Sequence, residues 1–301
     1  MTIQPHALLD NLELLARQAV EGYIIGLHKS PFHGFSVEFA EHRLYNQGDA
    51  LRHIDWRVFG RTDKLFVKRF EEETNLRCCI ALDTSSSMHF PMEDGKMSKL
   101  DYSIFSAACL IQLLKRQLDA TALALFDEQI HYLSECRSSH SHYRLLTTQL
   151  EQLLHTPAST KKTQATQALH EIAEKMRKRS FIVIFSDMME DTEQMEELFS
   201  ALQHLKYNRH EVILFHLIEG SMEERFEFEN RPYEFVDLES GEKIKLQPQQ
   251  IKEEYIDRMK NFLHLIENRC HQYRIDYVPM NLAQPVEEVM HSYLVKRNKL
   301  M

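Results

Sequence analysis

Glycine and proline are scarce, at eight each in 301 residues. Collagen-like and low-complexity chains are thereby excluded. Cysteine is scarce too: five, at 78, 79, 109, 136 and 270, with no C-x-x-C pair. An odd number without paired spacing argues against a disulfide framework or a zinc ribbon and fits a reducing cytosol. Long apolar runs are missing. The longest, Phe181–Phe185 and Val212–Ile218 (interrupted by His216), are strand-sized, whereas a membrane helix needs ~20 apolar residues. The opening MTIQPHALLDNLELL has no basic stretch followed by an apolar one, so no signal peptide is read there. The expectation is a cytoplasmic protein with no membrane span. Positive charge is in deficit: 36 Lys and Arg against 45 Asp and Glu, a net charge of −9. A generic binder of nucleic acid or acidic membrane leans the other way, so no nucleic-acid partner is expected. Walker A, G-x-S-x-G and G-x-G-x-x-G sequences are all absent.

The composition that remains, 43% apolar and 27% charged, is that of a globular protein able to bury a sizeable core. The length suits one large domain or two unequal ones. The pattern changes near residue 75. In 1–75, an amphipathic helix over Leu8–Val20 precedes a segment without helical period. Turn signals at 46–49 and 61–64, with alternation around Phe35, Val37 and Phe39 and around Leu65, Val67 and Phe70, predict short strands. Residues 41–69 hold seven Lys or Arg against four Asp or Glu, read as a solvated, ion-paired face. Trp56, the single tryptophan, is read as a core or interdomain anchor. Asp49, Arg52 and Asp55 are read as an ion-pair network pinning this segment to the rest.

Beyond Asn75, strands and helices alternate. Strands are predicted at Arg77–Leu82, Thr121–Phe126, Gln129–Leu133, Phe181–Phe185, Val212–Leu217 and Ile275–Val278. Helices are predicted at Lys99–Leu118 behind a Ser98-x-x-Asp101 capping box, at Tyr143–Leu154, about Gln164–Arg177, Asp191–Tyr207 and Ile251–His271, with a last one opened by Pro285. This predicts a doubly wound, mostly parallel α/β sheet of Rossmann type over 76–301, interrupted by a polar insertion at about 221–246. Cys78 and Cys79, adjacent on a strand, point to opposite faces.

In open α/β sheets, ligands bind beyond the carboxyl ends of the strands. Asp83-Thr84-Ser85-Ser86-Ser87, a D-x-S-x-S sequence, follows the first of these strands, and Ser186-Asp187 follows another. Thr163 precedes the helix at Gln164, with Thr166 as the rival threonine. Asp83, Ser85, Ser87, Thr163 and Asp187 are all hard oxygen donors, a set suited to Mg²⁺ or Mn²⁺. Two carboxylates balance a divalent charge, and hydroxyls add ligands without adding charge. Such a metal remains attractive to one more anionic oxygen, which argues for adhesion over water activation. His140-x-His142 lacks a nearby third ligand and is read as structural.

These residues resemble the metal-ion-dependent adhesion motif of von Willebrand factor A domains, over about 76–298. The resemblance implies that Ser85, Ser87 and Thr163 bind metal directly and that Asp83 and Asp187 act largely through water. A second resemblance lies upstream. Glu38-Phe39, Arg43, Tyr45, Gly48, Asp49, Arg52, Ile54-Asp55-Trp56, Arg61 and Phe66-Val67-Lys68 resemble the bacterial family of unknown function numbered fifty-eight. That family pairs this segment with a von Willebrand-like domain and is associated with MoxR-type AAA+ ATPases. The expectation is a non-enzymatic module presenting a divalent metal to a carboxylate on a protein partner, such as a MoxR-type ATPase or its client. Two alternatives stand: a PIN-like metal-dependent nuclease or phosphohydrolase, with Asp101, Glu190 and Asp191 as extra acids, and a metal-free scaffold.

Overall fold

The computed structural model describes residues 5–24, 38–45, 54–71, 76–93, 95–156, 165–190, 195–238 and 241–300. The chain forms two units. One comprises residues 1–31 together with 77–301; the other is the intervening segment 32–76.

The larger unit is built on a six-stranded sheet. Its strands are β3 (Arg77–Asp83), β4 (Ala120–Phe126), β5 (Ile130–Leu133), β6 (Phe181–Ser186), β7 (Glu211–Ile218) and β10 (Asp276–Asn281), in the order β10-β7-β6-β3-β4-β5. All neighbours pair in parallel except β5, which returns antiparallel beside β4. The parallel core strands are buried on both faces and therefore read as continuous apolar runs: FIVIFS in β6 is buried at every position. Helices cover both faces. On one side, α5 (Ala165–Lys175), α6 (Met195–Tyr207) and α7 (Pro248–Tyr273) close a core that includes Cys79, Ala81, Ala122, Ala124, Ile182, Ile184 and Leu214. Cys78 is buried as well but does not belong to that core, as the pleat requires. On the other side lie α3 (Lys99–Arg116), α4 (His140–Leu154) and α8 (Val286–Leu300), with Val286 directly after Pro285.

The first helix, α1 (Pro5–Ile24), packs against α3, α4 and α8. The sequence reading grouped it with 1–75; the structure assigns it to the α/β unit. The physical reason is visible in α3. From Lys99 to Leu114 every residue of α3 except Asp101 is buried. A helix apolar all round needs cover on both sides, and α1 supplies the outer one through Leu8, Leu12, Ala16, Ala19 and Val20. Glu13 and Glu21 then pair with Lys115 and Arg116 at 3.3 and 2.9 Å. Leu12→Ala, at a position 1% exposed, is expected to cost ~2–5 kcal/mol in urea unfolding.

The capping box of α3 is formed as the sequence predicts: Ser98 Oγ accepts from Asp101 N, and Asp101 Oδ2 accepts from Ser98 N. The insertion after β7 opens with a π-helical turn at Gly220–Glu224 and continues as a hairpin of β8 (Tyr233–Val236) and β9 (Lys243–Leu246). Gly220 is required by close approach. A Cβ there meets the Asn281 side chain, its amide nitrogen at 2.1 Å.

The smaller unit contains an antiparallel pair, β1 (Glu38–Leu44) and β2 (Phe66–Glu71), bulged between Phe39 and Glu41. A short helix, α2 (Trp56–Thr62), lies between them in sequence. Asp55 caps α2 by accepting from Arg57 N and Val58 N. Trp56 corrects the core half of its sequence reading, core or interdomain anchor. It is 62% exposed and stacks edge-on to Phe59, so it is no core anchor of its unit. It opens a short helix of which no residue is buried, which leaves its ring no core to enter. Tyr45 is half-buried, and its backbone N–H donates to Leu65 O at 2.9 Å. Arg43 sits opposite Val67 in the strand register. Gly48, Asp49 and Arg52 lie outside the described residues, so the expected ion-pair network does too. Among the described residues, no helix is long and apolar enough to cross a membrane.

Candidate functional site

The chain leaves β3 toward β4 on one side and returns to β6 on the other. The carboxyl ends of β3 and β6 therefore flank a topological switch point, where open sheets form a crevice. Asp83 ends β3 and Ser186-Asp187 ends β6, and the two strands pair directly. This juxtaposition brings Asp83, Ser85, Ser87 and Asp187 together from two separated parts of the sequence.

Asp83 is fully buried. Its Oδ1 accepts from Ser85 N at 2.9 Å, and its Oδ2 accepts from Ser186 Oγ at 2.6 Å. Burial and the neighbouring Asp187 charge push the Asp83 carboxyl up to about 7, against those donors and the Ser85 hydroxyl. The loop then turns into a 3₁₀ segment at Ser86–His89. This turn sets Ser85 Oγ and Ser87 Oγ 3.2 Å apart, with Ser87 at the half-buried mouth. Thr84 faces away and donates to Phe126 O at 2.9 Å, tying the loop to the end of β4.

Asp187 is also fully buried, and its main partner is one the sequence reading missed. Lys99 Nζ lies 2.6 Å from Asp187 Oδ2 and 2.6 Å from Glu223 Oε1. Lys99 itself is 0% exposed. Burial pulls its ammonium down, but Asp187 and Glu223 more than offset that and hold it above the usual lysine range. Burial raises Asp187, yet Lys99, with help from Met189 N–H and the Ser87 hydroxyl, holds it below the usual carboxylate range. Burial raises Glu223. One signal for Lys99 was available. It is the first residue of α3, where the helix dipole disfavours a cation, and it opens a helix buried nearly all round. A lysine there is held by something stronger than the helix. Glu223 gave no signal, being one of several acids in the polar insertion.

Two further groups complete the site. Glu190 follows Asp187 by three residues, and its buried carboxyl faces the start of α5, toward the N–H groups of Ala165 and Thr166 and the Thr166 hydroxyl. Burial, with the charge of Asp83 adding to it, pushes the Glu190 carboxyl up to about 7. Met188, between these acids, has φ +51 and is buried. A left-handed non-glycine residue at such a bend is a strained turn of the kind that collects at functional loops. Behind the site, His216 Nε2–H donates to Asp187 O at 2.8 Å, and Nδ1 lies 2.8 Å from the Tyr277 hydroxyl. Burial lowers the ring to about 4, so it is neutral. His142, on α4, lies 2.8 Å from Thr121 O through Nε2, a structural bond. Thr163 and Asp191 lie outside the described residues. Asp101 is occupied in the capping box.

No group of three His, Cys, Asp or Glu side chains forms a ready metal cage among the described residues. The oxygen set here is mixed, carboxylate and hydroxyl, and its charge can be counted. Asp83, Asp187, Glu190 and Glu223 face one cation, Lys99, and two of them, Asp83 and Glu190, are pushed up to about 7. More carboxyls than cations, and a serine pair at the mouth, fit a hard divalent cation that would replace the protons those carboxyls hold. Two open hollows, of about 490 and 620 Å³, flank β10 and share Tyr277, Pro279 and Gln284; neither includes these oxygens.

Fold and site together define a Rossmann-like α/β protein with a polar switch-point site. Residues 41–262 match the family described as "Protein of unknown function DUF58", and the chain belongs to that family. Uncharacterized proteins of Mycobacterium bovis and Mycobacterium tuberculosis are similar, each 24% identical over 213 residues, covering 71% of this chain and 65% of theirs. The match thus spans less than two thirds of those relatives' length. Among solved structures, the conserved hypothetical protein BatB of Bacteroides thetaiotaomicron aligns with a TM-score of 0.46 at 14% identity, covering 74% of this chain and 99% of that one. An aerotolerance-related membrane protein of Bacteroides fragilis aligns with a TM-score of 0.42 at 14% identity, covering 75% and 100%.

Proposed function

We propose that this chain is a non-enzymatic protein-interaction module with a von Willebrand factor A-type adhesion site. The observation that carries this reading is the Ser85–Ser87 hydroxyl pair, 3.2 Å apart, at the switch point beside buried Asp83 and Asp187. Ser85 and Ser87 would hold Mg²⁺ or Mn²⁺ directly, with Asp83 and Asp187 behind them. Glu190 and Thr166 are the nearest further oxygens, and Thr163 is the threonine that the resemblance implies. The bound ion would supply an open Lewis-acid position for a carboxylate of the partner. The partner implied by the family resemblance is a MoxR-type AAA+ ATPase or its client.

Hydrolysis is the weaker reading: the carboxyls of Asp83 and Glu190 are the bases it would rest on, and neither Lys99 nor His216 adds to them. Lys99 is held protonated between two carboxylates. His216 is neutral but spends both ring nitrogens on Asp187 O and Tyr277. A metal-free scaffold has one observation in its favour: Lys99 already brings a positive charge to Asp187.

Titration calorimetry with Mg²⁺ and Mn²⁺ separates these readings. Saturable binding is expected for the wild type, weakened at least tenfold in Ser85→Ala/Ser87→Ala. Absence of binding by the wild type, alone or with a carboxylate-bearing partner, would leave the scaffold reading standing.

A further inference from the structure

Lys99 joins three loops that follow three different strands. It sits at the start of α3, which follows β3; Asp187 follows β6; Glu223 lies on the π-helical turn after β7. Both contacts are 2.6 Å, and Lys99 is 0% exposed. The ammonium therefore occupies one side of the switch-point site as a resident cation. The anions it leaves uncompensated, Asp83 and Glu190, lie on the other side. Both take only neutral donors: Asp83 those of Ser85 and Ser186, Glu190 those of Ala165 and Thr166 at the start of α5.

We infer that Lys99 is a built-in competitor of the divalent ion: it holds Asp187 and so sets how strongly the site takes a metal. The inference rests on the reading of these oxygens as a metal site. A divalent ion engaging Asp187 must share it with the ammonium or displace it, whereas Asp83 is open to the ion at no such cost. Two like charges a few ångströms apart repel strongly in a buried setting, so the ammonium lowers affinity. Displacement also has a structural side. Glu223 would lose its cation while keeping the Glu219 N–H, and the π-helical turn that carries Glu223 leads into the β8–β9 hairpin. Metal uptake would thereby loosen the insertion from the site.

The test compares Mg²⁺ and Mn²⁺ titrations of the wild-type chain, Lys99→Met/Glu223→Leu and Lys99→Arg. The double variant removes one positive and one negative charge, so the net charge of the site is unchanged. It also leaves no buried carboxylate without its partner except Asp187, which retains Met189 N–H. Competition predicts at least tenfold tighter binding by the double variant and binding within about threefold of wild type by Lys99→Arg. Binding by the double variant with none by the wild type supports the inference and reveals a latent site. Binding by the wild type with no gain in the double variant overturns the inference but leaves the metal reading intact. Binding by neither overturns both. Hydrogen exchange of residues 220–246 gives a readout independent of affinity: faster exchange on adding metal to the wild type is expected, and unchanged exchange despite saturation counts against displacement. Should the double variant fail to fold, that exchange measurement on the wild type decides alone.

Discussion

Lys99→Met alone is expected to destabilise the protein by ~3–5 kcal/mol, the range for removing one partner of a buried ion pair. The side chain is 0% exposed and holds two carboxylates at once. Without it, Asp187 and Glu223 face each other across a buried site with no cation between them. Methionine fills much of the lysine stem's volume, so the loss is electrostatic and not a cavity effect. Lys99→Met/Glu223→Leu is expected to recover part of the loss, because replacing a buried pair together by apolar residues is far less costly than breaking it. Urea unfolding of both variants at pH 7.5 checks this. A single variant within ~1 kcal/mol of wild type would mean that the carboxylates are solvated or protonated, and that Lys99 is not the hub described.

The second large effect is a pH dependence. Burial pushes Asp83 and Glu190 up to about 7 in the folded protein, from ordinary values of 3.8 and 4.5. The folded state therefore keeps protons that the unfolded state releases. Stability from these two groups is fully present below the unfolded range, near pH 4, and is lost as pH rises toward 7, with no further change above it. Each group contributes a slope of about 1.4 kcal/mol per pH unit within that window. Asp187 has the opposite sign, because Lys99 lowers it; its contribution is lost only as pH falls below the ordinary carboxylate range. In the absence of divalent ions these two carboxyls are thus expected to raise the unfolding free energy as pH is lowered from 7 to 5. Below about 6.5 this is partly offset by the neutral imidazoles of His216, His210 and His89, which burial lowers and which work in the opposite direction. Asp83→Asn should remove about one group's slope, and saturating Mg²⁺ should flatten the wild-type profile by favouring the charged carboxylate. Unfolding curves at pH 5, 6, 7 and 8 for wild type and Asp83→Asn, with and without Mg²⁺, decide this; parallel profiles would refute it.

Much of the larger unit was legible because its periodicities are strong. Parallel strands buried on both faces announce themselves as apolar runs, and α3 begins at a capping box that depends on only four residues. Asp83, Ser85, Ser87 and Asp187 could be located together because strand ends in an alternating chain define a common edge. Lys99 was not read as part of the site because its role depends on the depth of the crevice, which spacing does not encode. Glu223 was hidden among neighbouring acids, and only the turn fixed by Gly220 against Asn281 singles it out. The core half of the Trp56 reading failed for a different reason. Tryptophan's usual burial is a tendency of the residue type, and here the ring sits at the start of a short exposed helix. The association of α1 with α3 depends on a helix that is apolar on every side, a property visible in α3 and not in α1.

The seat of α1 has a consequence for synthesis. This helix rests on α3, α4 and α8, and α8 begins only at Val286. A chain still short of that point can lay the apolar stripe of α1, Leu8 through Val20, on α3 and α4 but not on its third support. Nascent chains stalled before residue 286 should therefore expose part of that stripe and be better clients for chaperones than chains in which α8 has been made.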